Sequence, residues 1–198
     1  MTCKCVRKRT PLLILFITSL FLFRPATGSS LSFAGQHDTK EEYLLKSIFL
    51  ERFCRFIEWP SEAGLENKSD SFVIGVIGET PFNTILTDVY AKQSIKAKRV
   101  ELRRIRSVND IEGCHLLFIA EKNPAILKTI IAYVAKYPIL TVSDSPGYGT
   151  YGVHINMYVE DEQIRFEINN NTLKKTGLTV SSLLLKVAKL VATDGEEN

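Results

Sequence analysis

Short, nearly continuous apolar runs recur along the chain between stretches of mixed polarity. The runs are FVIGVIG (72–78), CHLLFIA (114–120) and ILTV (139–142). A run of this length with few polar residues is typical of a strand that is buried on both faces, as in a parallel sheet. A fourth run, KRVELRRI (98–105), carries many bases and alternates only loosely. This pattern predicts a strand near an edge of the sheet.

Helix signals separate these strands. Thr80 and Pro81 supply an N-cap and a first-turn proline for a helix that extends to about Lys92. Pro124 opens a second helix that extends to about Ala135. Buried strands that alternate with helices predict a mostly parallel sheet with helices on both faces.

The first helix is predicted to run from a cap at Asp38 or Thr39 to Glu58. Its apolar positions cover most of the helical circumference, so we expect neighbouring elements on most sides. Pro60 disfavours helical geometry at Trp59, the only tryptophan of the chain, and therefore marks the end of the helix.

The last part of the chain does not continue the alternation of strands and helices. Segments HINMYV (154–159) and QIRFEI (163–168) are predicted to form a hairpin with its turn at 160–162. In the second strand Ile164, Phe166 and Ile168 are expected to face one way. The residues expected to face the other way are Arg165, Glu167 and Asn169. The hairpin adds antiparallel strands at one edge of the sheet, so the predicted fold class is α/β.

A short helical turn at 170–176, ended by Gly177, follows the hairpin. Thr179 or Ser181 then caps a predicted C-terminal core helix with the sequence LLLKVAKLV (183–191).

The N-terminal segment is predicted to be a secretory signal peptide comprising residues 1–34. Four bases precede an apolar run from Leu12 to Phe23, and Ser32 and Ala34 have the spacing of a cleavage site. The run is short of the roughly 20 residues that a membrane-spanning helix needs, although an uncleaved anchor is an alternative. The prediction is a periplasmic protein whose single domain spans residues 35–198.

Charge excludes one class of function. The formal net charge is +3, but residues 1–34 contain five bases and no acid, so residues 35–198 have a net charge of −2. A slightly acidic domain lacks the basic surface that phosphate backbones require, and nucleic acid is therefore not an expected partner.

Two cysteines, Cys54 and Cys114, remain after residue 34. In an oxidising compartment they can form one disulfide with each other. Two separate buried thiols are an equally acceptable interpretation, because spacing alone does not show that their Cβ atoms meet.

No motif of a known catalytic centre is present. The chain has no G-x-S-x-G, H-E-x-x-H or G-x-x-x-x-G-K-[ST] sequence. Cys114 and His115 are adjacent on a predicted strand, so their side chains point to opposite faces and a buried Cys beside a core His is the favoured interpretation. We therefore expect no catalytic residues, no metal site and no cofactor.

The loop SDSPGYGTYG (143–152) is the best candidate for a small-molecule site. It follows a buried strand, and open α/β sheets bind ligands at the carboxyl ends of their strands. Asp144, Tyr148 and Tyr151 can supply a carboxylate and aromatic walls. The alternative is a glycine-rich connection between the parallel part of the sheet and the hairpin.

Several stretches together resemble one known family, the YfiR-like periplasmic proteins. They are EYLLKSIFL-x-x-F-x-x-FIEWP (42–60), FVIGVIGETPF (72–82), CHLLFIA (114–120), ILTVSD (139–144), RFEIN (165–169) and GLTVSSLLLKVA (177–188). Members often carry a Gly-Gly-hydrophobic-Ile run after the loop aromatic. Here Val153 and His154 separate Gly152 from Ile155, which is a departure from that pattern.

The resemblance implies a periplasmic α/β domain that often dimerises and has no assigned catalytic activity. The namesake of the family restrains an inner-membrane diguanylate cyclase, and other members are candidates for regulating membrane sensor kinases. The resemblance therefore implies a non-enzymatic regulator in cyclic-di-GMP signalling, with an inner-membrane signalling protein as its partner and a homodimer as one arrangement. Cysteine oxidation affects the namesake, and the present chain can form at most one intrachain bridge.

Trp59, Arg165 and Glu167 are the candidate partner-surface residues. For Trp59 the favoured interpretation is packing, because Phe53, Phe56 and Trp59 are spaced by three on one helical face. A regulator should expose an apolar or aromatic patch. The two other hypotheses are a periplasmic ligand-binding domain, with a closed pocket lined by Asp144 and Tyr148, and an unrecognised hydrolase, with converging polar groups.

Overall fold

The structure is a computed structural model that describes residues 34–67 and 70–194. The helices of the described residues are α1 Ala34–Phe56, α2 Phe82–Tyr90, α3 Pro124–Val134, α4 Asn170–Lys175 and α5 Ser182–Leu185. The strands are β1 Ile57–Glu58, β2 Phe72–Ile77, β3 Ser94–Ile95, β4 Lys98–Ile105, β5 Leu116–Ile119, β6 Leu140–Ser143, β7 Ile155–Glu160, β8 Gln163–Ile168, β9 Thr179–Val180 and β10 Lys189–Leu190. The predicted signal peptide, apart from Ala34, lies outside the described residues.

Eight of these strands form one sheet in the order β10-β8-β7-β6-β5-β2-β4-β3. The five strands from β4 to β7 in this order are mutually parallel. β8 is antiparallel to β7, and β3 is antiparallel to β4. The predicted mostly parallel sheet with a late antiparallel hairpin is therefore confirmed.

The central strands are buried on both faces, as their apolar composition predicts. Along β2, Phe72, Ile74 and Val76 pack in the cluster that contains α1 and α2 residues. The intervening Val73 and Ile77 pack in a second cluster that contains α3 residues. The sheet thus separates two apolar cores, and helices cover both faces.

The first helix differs from its prediction at both ends. It begins at Ala34, before the expected caps Asp38 and Thr39, and it ends at Phe56 instead of Glu58. Residues Ile57–Glu58 leave the helix because they pair with β9 as a two-strand ladder. The Ser181 amide also donates a hydrogen bond to the Phe56 carbonyl oxygen, 2.8 Å away.

The expectation that α1 is covered on most sides is wrong. Leu44, Leu45 and Ile48 are exposed by 37%, 53% and 41%. Leu50 and Phe53, further along the helix, are fully buried against the sheet. The apolar width of α1 therefore exceeds the area that the fold covers.

The prediction of a C-terminal core helix over residues 183–191 is also wrong. Ser181 does cap a helix, as its hydroxyl accepts a hydrogen bond from the Leu183 amide, but α5 ends at Leu185. The chain then becomes extended, and Lys189 and Leu190 pair in parallel with Glu167 and Ile168 of β8. The open edge of β8 offers backbone hydrogen bonds that outweigh the helical pattern.

The hairpin turn forms as expected, but one face of the second strand is buried where exposure was expected. Asp161 and Glu162 both have positive φ angles, 50° and 59°, as a two-residue turn between twisted strands requires. Glu167 and Asn169, expected to face away from the apolar side, are buried. The Asn169 side-chain amide donates to the Gly149 carbonyl oxygen at 3.0 Å, so the loop 143–152 covers this side of the strand.

Gly75 in β2 is a point of close approach to β4 and β5. A Cβ atom at this position would lie 2.8 Å from Cys114 Sγ, 3.0 Å from Ile105 Cγ1 and 3.1 Å from Leu117 Cδ1. The absence of a side chain thus leaves space that the buried Cys114 thiol fills.

We expect Gly75→Ala to lower the free energy of unfolding by about 1–3 kcal/mol, because it overpacks this site. Cys114→Ala alone should also destabilise, because it leaves a cavity. In the double variant the new methyl group occupies the space of the lost sulfur, so its destabilisation should be smaller than the sum of the two. Urea unfolding of all four proteins measures this, and strictly additive effects would contradict the assigned contact.

Candidate functional site

A buried ion-pair cluster lies where the loop 143–152 leaves β6. The Lys46 ammonium group of α1, 4% exposed as a residue, donates to Asp144 Oδ2 at 2.5 Å. It also forms an ion pair with Glu42, one helical turn earlier, at 2.5 Å. The ammonium nitrogen lies 4.4 Å from the ring centroid of Tyr43. The cluster fastens α1 to the carboxyl end of β6.

The cluster keeps its lysine charged. Burial lowers the pKa of Lys46, but hydrogen bonds to Asp144 and Glu42 outweigh burial and raise the pKa above its ordinary value. Burial and the neighbouring Asp144 carboxylate raise the pKa of Tyr43. The Lys46 ammonium group therefore stays protonated at neutral pH and holds α1 to the loop through its charge.

The structure does not bring Asp144, Tyr148 and Tyr151 together around one pocket. Asp144 contacts α1, whereas Tyr148 is buried in the core that contains α3 residues, and its hydroxyl donates to the Glu121 carbonyl oxygen. Tyr151 is 52% exposed, although its ring meets that of Tyr148 edge to face at 6.2 Å. This corrects the expectation of a shared aromatic-walled pocket. Asp144 points to the face of the sheet that α1 covers, and Tyr148 points to the face that α3 covers.

The two cysteines are separate buried thiols. Cys54 lies in the core that contains α1 and α2 residues, and Cys114 lies in the core that contains α3 residues. The sheet stands between them, which is why they do not form the disulfide that the sequence allowed. Burial raises the pKa of Cys54 far above its ordinary value and that of Cys114 to about 11.

His115 and Trp59 pack together at the amino ends of β2 and β5. The His115 Nδ1 atom accepts a hydrogen bond from the Val73 amide at 2.9 Å, and its ring stacks on Phe72 at 5.0 Å. Trp59 Nε1 donates to the His115 carbonyl oxygen at 3.2 Å, and the indole meets Phe72 edge to face. The packing interpretation of Trp59 fits these contacts, and burial lowers the pKa of His115.

His154 extends the short pairing of β6 with β7. Its Nδ1 atom accepts from the Thr141 amide at 3.2 Å, and its own amide donates to the Thr141 hydroxyl at 2.9 Å. The ladder itself joins only two residue pairs. Burial lowers the pKa of His154 to about 3, so the imidazole is neutral at every physiological pH.

An exposed apolar surface lies along the outer side of α1 and the hairpin. We define it by Leu45 and Ile48 of α1, Val159 and Ile164 of the hairpin, and Val187 after α5. Leu45, Val159 and Ile164 line one shallow groove, and Ile164 and Val187 line a second groove. Ile164 borders both grooves, and Ile48 neighbours Leu45 at the i+3 position of α1, so the surface is continuous across these elements.

Polar residues surround this apolar surface. Glu41 and Glu42 border its first groove, and Arg165 and Lys186 border its second. Arg165, a predicted partner-surface residue, lies here with its side chain half exposed and 4.0 Å from Glu160. Glu167 does not belong to the surface, because it is buried and accepts from the Asn156 side-chain amide at 3.2 Å.

The described residues contain neither a membrane-crossing helix nor a metal-binding cluster. Within residues 34–67 and 70–194, no helix has the length and apolarity to cross a bilayer. The same part of the chain holds no group of three or more His, Cys, Asp or Glu side chains arranged to bind a metal.

Sequence reasoning missed most of the apolar surface. It treated Leu45, Ile48 and Val187 as buried, since an apolar stripe on a helix usually faces a core. The number of apolar residues in α1 was the available signal, because one helix cannot bury so many of them against a single sheet. Of the predicted partner-surface residues, Arg165 borders this apolar surface.

Comparison with known protein families identifies the family of this chain. The sequence model of the YfiR/HmsC-like family (DUF4154) matches residues 43–189, about three quarters of the 198-residue chain. The match begins in α1 and ends at Lys189 in β10, so it includes the eight-stranded sheet except for Leu190. No curated protein matches the chain.

We expect neither Cys54 nor Cys114 to react with a disulfide reagent such as DTNB in the folded protein, because burial disfavours both thiolates. Both should react rapidly in denaturant. The Cys54→Ala and Cys114→Ala variants assign each reacting thiol. Rapid modification of either thiol in the native protein, or isolation of an intrachain bridge between them, would contradict this arrangement.

His154 should make the protein less stable in acid. The unfolded chain binds a proton at the ordinary histidine pKa of about 6.5, whereas the folded protein resists that proton until its pKa of about 3. The free energy of unfolding should therefore fall as the pH drops below about 6.5, by up to about 1.4 kcal/mol per pH unit from this residue.

The His154→Asn variant tests this pH dependence, because the amide oxygen can still accept from the Thr141 amide. Urea unfolding of both proteins between pH 7 and pH 4 should show a shallower loss of stability for the variant. His115, whose pKa is lowered in the same direction, remains in both proteins and cancels in the comparison. Parallel curves would show that His154 does not supply the pH dependence.

Proposed function

Because this chain belongs to the YfiR/HmsC-like family, we propose that it restrains a membrane diguanylate cyclase from the periplasmic side. Membership alone points to a periplasmic regulator of cyclic-di-GMP signalling, in a family whose members are regulators and not enzymes. The finer proposal concerns the partner and the sign of the effect. The partner is an integral membrane cyclase, and the effect is inhibition.

The observation that carries the proposal is the exposed apolar surface of α1, the hairpin and Val187. Val159 and Val187 are exposed by 51% and 71%, in addition to Leu45 and Ile48. Isolated exposed apolar residues are common, but a continuous group with a polar rim is typical of a protein interaction site. Burial of this group against a partner releases ordered water and supplies binding free energy.

The proposed mechanism is a shift of population in the partner. The cyclase exchanges between an inactive and an active conformation, and the apolar surface binds the inactive one more tightly. The largest possible shift of the equilibrium toward the inactive conformation is set by the difference between the two binding free energies. No covalent step is required. This agrees with the pairing of Lys46 with Glu42 and Asp144, and with the burial of both cysteine thiols.

The loop 143–152 has a supporting role in this proposal and is not the contact site. Its Asp144 holds α1 through Lys46, and its Tyr148 is anchored to the chain after β5. A ligand-binding function at this loop would need these side chains to be released from their internal partners.

The test uses the exported protein, purified from the periplasm and immobilised through an affinity tag, with detergent-solubilised inner membranes of the source organism. We expect capture of a diguanylate cyclase, identified by mass spectrometry, and lower synthesis of cyclic-di-GMP from GTP when the protein is added to the membranes. Ile48→Glu should abolish both effects, because it places a charge in the apolar surface.

Tyr151→Glu is the control, because Tyr151 of the loop 143–152 is 52% exposed but lies outside the apolar surface. It should leave capture and inhibition unchanged. Reductant should change neither effect, since the two thiols are not joined. Capture of a sensor kinase without a cyclase would replace the proposed partner. A dimer in solution that Ile48→Glu converts to a monomer would assign the surface to a second copy of this chain.

A further inference from the structure

A cleft of about 670 Å³ opens at the carboxyl ends of β2, β4 and β5. Its walls come from Glu79 after β2, Arg104 and Arg106 at the end of β4, and Lys122 after β5, and Val108 and Ile126 add apolar area. The volume lies within the roughly 300–1,000 Å³ that is usual for small-molecule sites. The cleft does not include the loop 143–152 or the exposed apolar surface.

The topology of the sheet places a binding site at this point. The chain leaves β2 through α2, which packs in the core that contains α1 residues, and it continues to β4. From the neighbouring strand β5 it leaves through α3, which packs in the opposite core, and it continues to β6. Adjacent parallel strands whose connections diverge to opposite faces leave a crevice between their carboxyl ends, where open α/β sheets bind ligands.

The inner end of the crevice is closed by a backbone contact at Gly78. This glycine has a φ angle of 93°, and a Cβ atom there would lie 2.6 Å from the Ala120 carbonyl carbon and the Glu121 amide nitrogen. The two loops that follow β2 and β5 therefore touch without side chains between them. This contact defines the floor of the cleft and leaves the space above it open.

Cationic side chains dominate the cleft. Arg104 forms an ion pair with Glu79, so these two charges compensate each other. The Glu121 carboxylate accepts a hydrogen bond from the Asn123 amide at 2.8 Å, at the start of α3. Arg106 and Lys122 add two further positive charges on exposed side chains. Three cationic and two anionic side chains thus give the cleft a net positive charge, beside the apolar Val108 and Ile126.

We infer that this cleft binds a small organic anion, a molecule with one oxyanion group and an apolar body. Guanidinium and ammonium groups are the side chains that bind carboxylate and phosphate oxygens most strongly. Arg106 and Lys122 would contact the oxyanion group, and Val108 and Ile126 would contact the apolar body. The inference does not depend on the proposed function, because no residue of the exposed apolar surface takes part.

The test is a two-dimensional amide NMR titration of the exported protein with four probes. Benzoate and phenyl phosphate combine an oxyanion with an apolar body, and acetate and inorganic phosphate lack the body. We expect saturable shifts at residues 77–79, 104–108 and 120–122 with the aryl probes, and at least tenfold weaker binding of acetate and inorganic phosphate. The stronger of the two aryl probes distinguishes a carboxylate ligand from a phosphate ligand.

Variants of two exposed arginines, Arg106 directly after β4 and Arg99 near the start of β4, separate site binding from nonspecific attraction. Arg106→Gln should weaken aryl-anion binding about tenfold, as the loss of a charge-assisted hydrogen bond predicts. Arg99→Gln removes the same charge at the other end of β4 and should not change the affinity. The unshifted remainder of each spectrum reports that the fold is retained. Shifts that do not saturate, that lie outside the cleft or that respond equally to both variants would overturn the inference.

Discussion

The parallel pairing of β2 with both β4 and β5 is the constraint on which the rest of the structure depends. A strand in this position presents apolar side chains to both faces, so each face needs its own covering helices. The two separate cores, the burial of Cys54 away from Cys114 and the diverging connections after β2 and β5 all follow from it. The close approach at Gly75 is a further consequence, because three strands meet there without space for a side chain.

The same constraint decides where binding can occur. Both faces of the central sheet are filled by helices, so the remaining sites are the carboxyl end of the strands and the outer sides of the covering elements. The cleft beside Arg106 lies at the first of these places. The apolar surface lies at the second, where α1 is wider than the area it covers. The two surfaces use different chemistry, one cationic and the other apolar, which fits them for different partners.

Much of this fold could be predicted from the sequence, because the central strands are determined by local composition. The runs at 72–78, 114–120 and 139–142 contain few polar residues, and only a doubly covered strand suits them. The ends of α1 and α5 were not predictable in the same way. Extended residues there pair either with a partner more than a hundred residues away, as Ile57 does with Val180, or with the open edge of an earlier strand, as Leu190 does with Ile168.

The candidate sites were less predictable, for a related reason. Asp144 and Tyr148 are polar residues in a glycine-rich loop, which is an appropriate signal for a ligand site, but each is held by an internal partner that periodicity does not reveal. Arg104 appeared only as one of the bases of a strand near the sheet edge, and Arg106, one residue beyond that predicted strand, was not singled out. Their role depends on which strands are neighbours in the sheet, and strand order is a tertiary property.

The buried Lys46–Asp144 ion pair on the inner side of α1 affects how the apolar residues on its outer side are presented. Lys46 points toward the sheet and is held at 2.5 Å from Asp144, whereas its neighbour Leu45 points outward and is 53% exposed. Lys46 keeps Glu42 as a partner within α1, but moving α1 away would leave the Asp144 carboxylate without its cation. Breaking a buried pair costs up to about 3–5 kcal/mol, so the ion pair opposes movement of α1 away from β6. The position of Leu45 and Ile48 relative to the hairpin is therefore fixed by an interaction on the opposite side of the helix. A rigid α1 presents the apolar surface without the entropic cost of ordering it on binding.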